Sequence, residues 1–212
     1  MGVRELNKAA RRRAILEAAR VMIRDDASHD FTMPSLAERA GVSLATPYNL
    51  FGSKSSILVE IVRADIFGQI ADLGAPAGVS LADWVTGLAR SLAGVYYPNR
   101  HFYRRMIVTL VAQESAEGQR AALDFSFRLY EGPLERLQNR GLLSSAVPAT
   151  ILAQHLAHGI SGSLQHRLMQ RGTQDLLRQE LEMAILLVLT GLCTADERPA
   201  MLDRMRQLGA AE

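Results

Sequence analysis

Apolar residues recur at helical spacing along most of the chain, and no stretch alternates with the two-residue period of a half-buried strand. Ile15, Ala18, Ala19 and Met22 fall at i, i+3, i+4 and i+7, which predicts a first helix over about 7–25. After a polar break, Thr32 stands as the N-cap of a second helix, with Phe31 placed to close over Leu36 and Pro34 in the first turn. Gly41 ends that helix after Ala40. Ser43 then caps a short third helix, and Ser53 a fourth running to about Asp72. The run Gly74-Ala75-Pro76-Ala77-Gly78 is the clearest linker. It predicts two domains, 1–73 and 80–212.

Longer helical segments follow. One is capped by Ser80 and reaches Tyr96; another opens at Pro98; a third covers 117–140, with Pro133 inside it. A fourth lies between Pro148 and Gly172, a fifth runs from the Thr173 cap to Cys193, and a short last one follows Pro199. The predicted fold class is all-α: an N-terminal three-helix domain with a helix-turn-helix unit, then a C-terminal helical bundle.

Composition narrows the class without naming a function. Of 212 residues, 48% are hydrophobic and 22% charged, a globular balance rather than a disordered one. The single Cys193 excludes an internal disulfide framework and fits a reducing compartment. The apolar stretch Met183 to Cys193 is too short to span a bilayer, and the N-terminus lacks a signal-peptide pattern. A cytoplasmic protein with no membrane partner is expected. Net charge is only +2, yet residues 1–24 hold seven Lys or Arg against two Glu, while the chain after Phe67 balances at fourteen of each sign. A basic excess at one end points toward nucleic acid.

The informative block is Leu36-Ala37-Glu38-Arg39-Ala40-Gly41-Val42-Ser43-Leu44-Ala45-Thr46-Pro47-Tyr48-Asn49-Leu50-Phe51-Gly52-Ser53-Lys54. A small residue and a turn glycine allow two helices to cross closely. Leu36, Ala40, Val42 and Pro47 would pack them together, leaving Leu44, Ala45, Tyr48 and Asn49 outward on the helix that enters the major groove in such units. With Thr32 before it and Ile57-Leu58 after it, this block resembles the DNA-binding domain of TetR-family transcriptional regulators, over about Arg12 to Val62. The resemblance implies a homodimer, a small-molecule effector and, in most members, repression. One position departs: where the family usually carries His or Tyr before the Phe, this chain has Leu50.

DNA binding is therefore expected through Thr32, Leu44, Ala45, Thr46, Tyr48, Asn49 and Lys54, with the Arg11 to Arg13 cluster near phosphates and a palindromic duplex as partner. Pro47 predicts a tight or irregular first turn in the recognition helix. Dimerisation is expected through the last two long helices, with Gly159, Gly162 and Ser163 allowing close approach of a partner. A mostly apolar effector is expected among Trp84, Leu88, Phe102, Met106, Phe127, Tyr130 and His158, with the Tyr130 and His158 polar groups orienting it. No cofactor and no metal site are expected: His155 and His158 lack further ligands at matching spacing, and Gly159 to Ser163 misses the hydrolase elbow pattern. An enzyme is not expected. The competing class is a helical small-molecule carrier whose basic end merely solubilises it.

Overall fold

A computed structural model describes residues 2–25, 31–70, 78–112 and 116–210. These residues form the helices α1 (Val3–Asp25), α2 (Met33–Arg39), α3 (Ala45–Phe51), α4 (Lys54–Ile70), α5 (Leu81–Tyr96), α6 (Arg100–Ala112), α7 (Ala116–Asn139), α8 (Ala149–Met169), α9 (Gln174–Leu189) and α10 (Arg198–Gly209). The all-α expectation is borne out. The extended pairing found among the described residues is an isolated antiparallel bridge between Leu143 and Cys193. No described helix is long and apolar enough to cross a membrane. The linker expected at 74–78 lies, apart from Gly78, outside the described residues.

The chain divides into two compact units, Met1–Ala64 with His101–Ala122 and Asp65–Arg100 with Leu123–Glu212. In the first, α1 buries Ile15, Ala18, Ala19 and Ile23, while α2 and α4 bury Leu36, Ala37, Ile57, Leu58 and Ile61. Ile15, Ala18 and Ala19 are buried as the periodicity predicts, but Ile23 rather than half-buried Met22 continues the stripe, and the helix begins at Val3, about one turn earlier than expected. Its C-terminal end is held by α6: Arg105 donates to the carbonyls of Ile23 (2.9 Å) and Arg24 (2.7 Å). Those carbonyls belong to the last turn, where intrahelical donors run out and the dipole favours a cation.

In the second unit α9 packs between α5 and α8, and α10 folds back on α5 and α9. Apolar rows supply the core: Leu81, Val85, Leu88 and Leu92 from α5, with Leu181, Ile185 and Leu189 from α9. Ser80 caps α5 through the Asp83 N–H, and Thr173 caps α9 through the Leu176 N–H, as expected. Glu197 adds a distant cap, accepting from the Leu81 N–H at 2.8 Å.

Glu182 is the charged residue at the centre of this unit, with its side chain fully buried. It accepts from Thr86 Oγ1 at 2.6 Å, from Arg204 Nη2 at 2.9 Å and from Arg178 Nη1. Burial pushes its carboxyl pKa up, but the hydrogen bonds and the two guanidinium charges outweigh that and hold it below the ordinary glutamate value.

Three expectations need correction. α9 ends at Leu189 rather than Cys193, because Thr190 Oγ1 turns back to the Leu186 carbonyl and the following backbone pairs with the α7–α8 loop: the Ser144 N–H donates to the Leu192 carbonyl and the Thr194 N–H to the Leu142 carbonyl. The helix expected from Pro98 starts two residues later, at Arg100. Gly159 serves packing within the chain: a Cβ there would lie 3.8 Å from Val188 and 3.9 Å from Ala184, both on α9. Gly162, by contrast, is exposed.

Candidate nucleic-acid interface

α2, α3 and the start of α4 form a helix-turn-helix unit whose turns are fixed by local chemistry. Thr32 accepts from the Ser35 N–H (3.2 Å), and Ser35 Oγ accepts in return from the Thr32 N–H (3.1 Å), closing a capping box with serine in the third position. At the other end the Val42 N–H reaches the Ala37 carbonyl (3.0 Å) and the Gly41 N–H the Glu38 carbonyl (3.1 Å). This closure puts Gly41 at φ +64°, a left-handed conformation that glycine adopts without a side-chain clash. Ser53 caps α4 through the Ser56 N–H at 3.1 Å, as expected.

The expected Ser43 cap is absent. Ser43 Oγ pairs with Thr46 Oγ1 at 2.8 Å, and α3 takes Leu44 as its N-cap without a side-chain bond. The Thr46 N–H donates to the Ser43 carbonyl (2.9 Å), an i→i+3 closure that makes the first turn tight, as Pro47 predicts. Pro47 itself has no N–H, so the opening turn carries one fewer donor to satisfy.

Within α3, Pro47 is the buried residue. Leu44 (54% exposed) and Tyr48 (48% exposed) stand out into solvent beside exposed Ala45 and Asn49, while Thr46 is half-buried. Large apolar side chains held outside a core on a seven-residue helix present a surface for contact.

Two basic residues have roles that their positions in the sequence do not reveal. Arg12, expected near phosphates with Arg11 and Arg13, is turned inward as a clamp on α3. Its Nη1 donates to the Leu50 carbonyl at 2.8 Å, its Nη2 lies 3.3 Å from Glu60, and its guanidinium sits 4.4 Å from the Phe51 ring centre. It caps the end of α3 and ties it to α1 and α4. Arg11 and Arg13 remain exposed. Lys54, in the first turn of α4, holds its ammonium 4.7 Å from the Phe31 ring centre, and burial lowers its pKa from 10.5 to about 8. Nothing in the residue types separates Arg12 from its neighbours; only the fold does.

The residues expected around an effector are not brought to one place within either unit. Trp84, Leu88 and Tyr130 are buried in the second unit, where burial, with Tyr96 adding to it, raises the Tyr130 pKa strongly. Phe127 is half-buried, and its ring meets His158 edge-on at 5.4 Å, but His158 is exposed. Phe102 and Met106 are buried in the first unit with α6.

The unit made by α2 and α3 is that of a helix-turn-helix DNA-binding regulator. Residues 15–61 match the family described as bacterial regulatory proteins, tetR family. Over 62 residues the chain is 37% identical to the HTH-type transcriptional regulator BetI of Rhizobium meliloti (strain 1021), a match spanning 29% of this chain and 30% of that protein. Over residues 15–61 the chain carries the pattern of a tetR-family DNA-binding domain. Its fold is similar to that of the TetR-family repressor FadR of Thermus thermophilus, solved with lauroyl-CoA, at a TM-score of 0.67 and 21% identity over 86% of this chain and 95% of that one. It is also similar to SmeT, the repressor of the Stenotrophomonas maltophilia multidrug efflux pump SmeDEF, in a complex with triclosan. There the TM-score is 0.55 and the identity 20%, over 88% of this chain and 93% of that one.

Proposed function

We propose that the chain is a cytoplasmic transcriptional repressor that binds a palindromic DNA operator as a homodimer and is released by a mostly apolar small molecule. The observation that carries the DNA half is the exposed row Leu44, Ala45, Tyr48 and Asn49 on a clamped helix. Leu44 and Ala45 suit thymine methyl groups, and Asn49 suits the paired donor and acceptor of adenine. Thr32, Thr46 and Lys54, at the ends and side of that row, suit phosphates. An operator contact at Lys54 would favour its charged form and so reverse the effect of burial.

The dimer half rests on α8 and α9. Ile151, His155, His158 and Gly162 form one exposed stripe on α8, and Leu187 on α9 is 65% exposed within an otherwise apolar segment. Two-fold association through these helices would set the recognition helices about one DNA turn apart, roughly 34–36 Å. Because Ala184 and Val188 pack on Gly159 in the same chain, the clean probe is Leu187→Glu, which should give monomers by sedimentation that no longer hold a palindromic duplex.

The effector half rests on the apolar interior of the second unit around Trp84, Leu88, Phe127 and Tyr130, and on neighbours solved with lauroyl-CoA and with triclosan, molecules with large apolar parts. His158, whose ring meets Phe127, stays in the proposal, as do Phe102 and Met106 of the first unit. The experiment is a selection of bound sequences from random duplex DNA, followed by affinity at two salt concentrations with and without compounds extracted from the purified protein. Recovery of a palindrome supports the reading; only weak, sequence-independent attraction would return the chain to the carrier class. Phe127→Ala should blunt the response to an extracted compound while leaving unliganded DNA binding unchanged.

A further inference from the structure

A groove of about 580 Å³ lies between the first turns of α1 and the recognition helix. Arg4, Lys8 and Arg11 line it from α1, and Thr46, Asn49 and Leu50 from α3. The three basic residues fall at i, i+4 and i+7, so they share one helix face, and all three are exposed. The row exists because α1 begins at Val3; a helix starting at Asn7 would leave Arg4 outside it.

We infer that this groove seats the sugar–phosphate backbone beside the bases read by α3, with Arg4, Lys8 and Arg11 as a track for successive phosphates. The inference rests on the DNA-binding reading above and adds a second contact surface to it. Charge complementarity supports the choice of occupant: three cations face the groove against one carboxylate, Glu5. So does continuity, since Asn49 belongs both to the groove and to the reading row, and Thr46, already assigned to phosphate, lines the groove beside it. Length allows it as well: from Arg4 to Arg11 the helix rises about 10 Å, enough to cover three successive phosphates on one strand, whose axial span is about 7 Å. Leu50 has no side-chain donor, so cationic contact in the groove falls to α1. The consequence is a division of labour: α3 discriminates bases, and α1 supplies affinity that is blind to sequence and sensitive to salt.

The test uses the full chain and a duplex recovered by the selection described above. Each phosphate released from contact lowers the slope of log affinity against log salt by about 0.9, so Arg4→Gln/Lys8→Gln/Arg11→Gln should flatten it by about 2.7. Between 50 and 200 mM salt the native protein should then lose about 40-fold more affinity than the variant. Base preference should be the same for both. Glu5→Gln should move the other way, binding more tightly at low salt. Neutral methylphosphonate linkages placed along the duplex should weaken the native protein at two or three adjacent positions and leave the triple variant indifferent there. An unchanged salt slope in a triple variant with a native circular dichroism spectrum and melting temperature would overturn the phosphate track. Altered base preference would overturn it too, since the row would then be reading bases. Failure of the native protein to select any duplex would instead overturn the DNA-binding reading itself.

Discussion

In the first unit Arg12 reaches a helix-end carbonyl, a partly exposed carboxylate and an aromatic face; in the second, Arg178 and Arg204 converge on one carboxylate that water does not reach. Arg12 ties α1 to α3 and α4, and the arginines on Glu182 tie α9 to α10, with the Thr86 hydroxyl adding α5. The two arrangements differ in what their loss would leave behind. Removing Arg12 returns a carbonyl and a carboxylate to partial hydration. Removing Glu182 takes the shared partner from two part-buried cations, leaving Arg178 to Asp175 and Arg204 to Gln207. The unit that carries α3 is held by contacts that are cheap to remake, and the unit that supplies the larger core is pinned by one that is not.

The largest expected effect tests the second half of that contrast. Glu182→Leu should destabilise the chain by about 3–5 kcal/mol in urea unfolding, the usual cost of stripping one partner from a buried ion pair. Loss of less than about 1 kcal/mol would show that Arg178 and Arg204 re-solvate freely, and the contrast would collapse. Acid should act in the same direction. Because the folded carboxyl is held below its ordinary value, its stabilisation is complete above the unfolded glutamate pKa of 4.5 and is lost as pH falls through the lower folded value.

Asn49→Ala should leave stability unchanged but cost about 1–3 kcal/mol of discrimination at one base pair, measured by competition between operator variants. Arg12→Ala should cost about 1–2 kcal/mol of stability, mostly through the lost bond to the Leu50 carbonyl. Its effect on operator affinity should be the larger one, since the angle of α3 is no longer fixed. Equal losses in stability and affinity would mean that Arg12 only stabilises.

The smallest effect concerns Lys54. Its folded pKa near 8 lies below the ordinary 10.5, so between these values the unfolded chain binds more protons and stability should rise with pH. Operator affinity should fall over the same window, because a phosphate contact needs the ammonium. Lys54→Met should flatten both curves.

Sequence reasoning reached the parts of the molecule that are decided locally. Thr32, Ser53, Ser80 and Thr173 cap their helices because a side-chain oxygen two or three residues from an N–H needs no help from elsewhere. The outward row on α3 followed from spacing in the same way. Ser43 was misread for an equally local reason: a nearby hydroxyl, Thr46, competes for its oxygen. Arg12, Arg105 and Glu182 were not legible, because each acts on a residue 38 to 96 positions away. Gly159 shows the same limit; its smallness is visible, but which helix fills the space is not. The seven residues expected around an effector share a helical spacing that turns side chains inward, a property that ordinary core residues share, and the fold distributes them between two units.

The short helix α3 is bracketed by glycines at φ +64° (Gly41) and φ +79° (Gly52), and contributes Pro47 alone to the core. Thr46, Leu50 and Phe51 are half-buried, with Phe51 against Arg12, but the four exposed side chains of α3 and its N-cap are almost unconstrained by folding. Such a segment behaves as an interchangeable cassette: Leu44, Ala45, Tyr48 and Asn49 can be replaced together without renegotiating the interior. For lineages in which gene duplicates must quickly acquire separate targets, that decoupling lets address and scaffold evolve at different rates. For an engineer, it marks four positions at which a library can be randomised while Arg12, Gly41, Pro47 and Gly52 are kept.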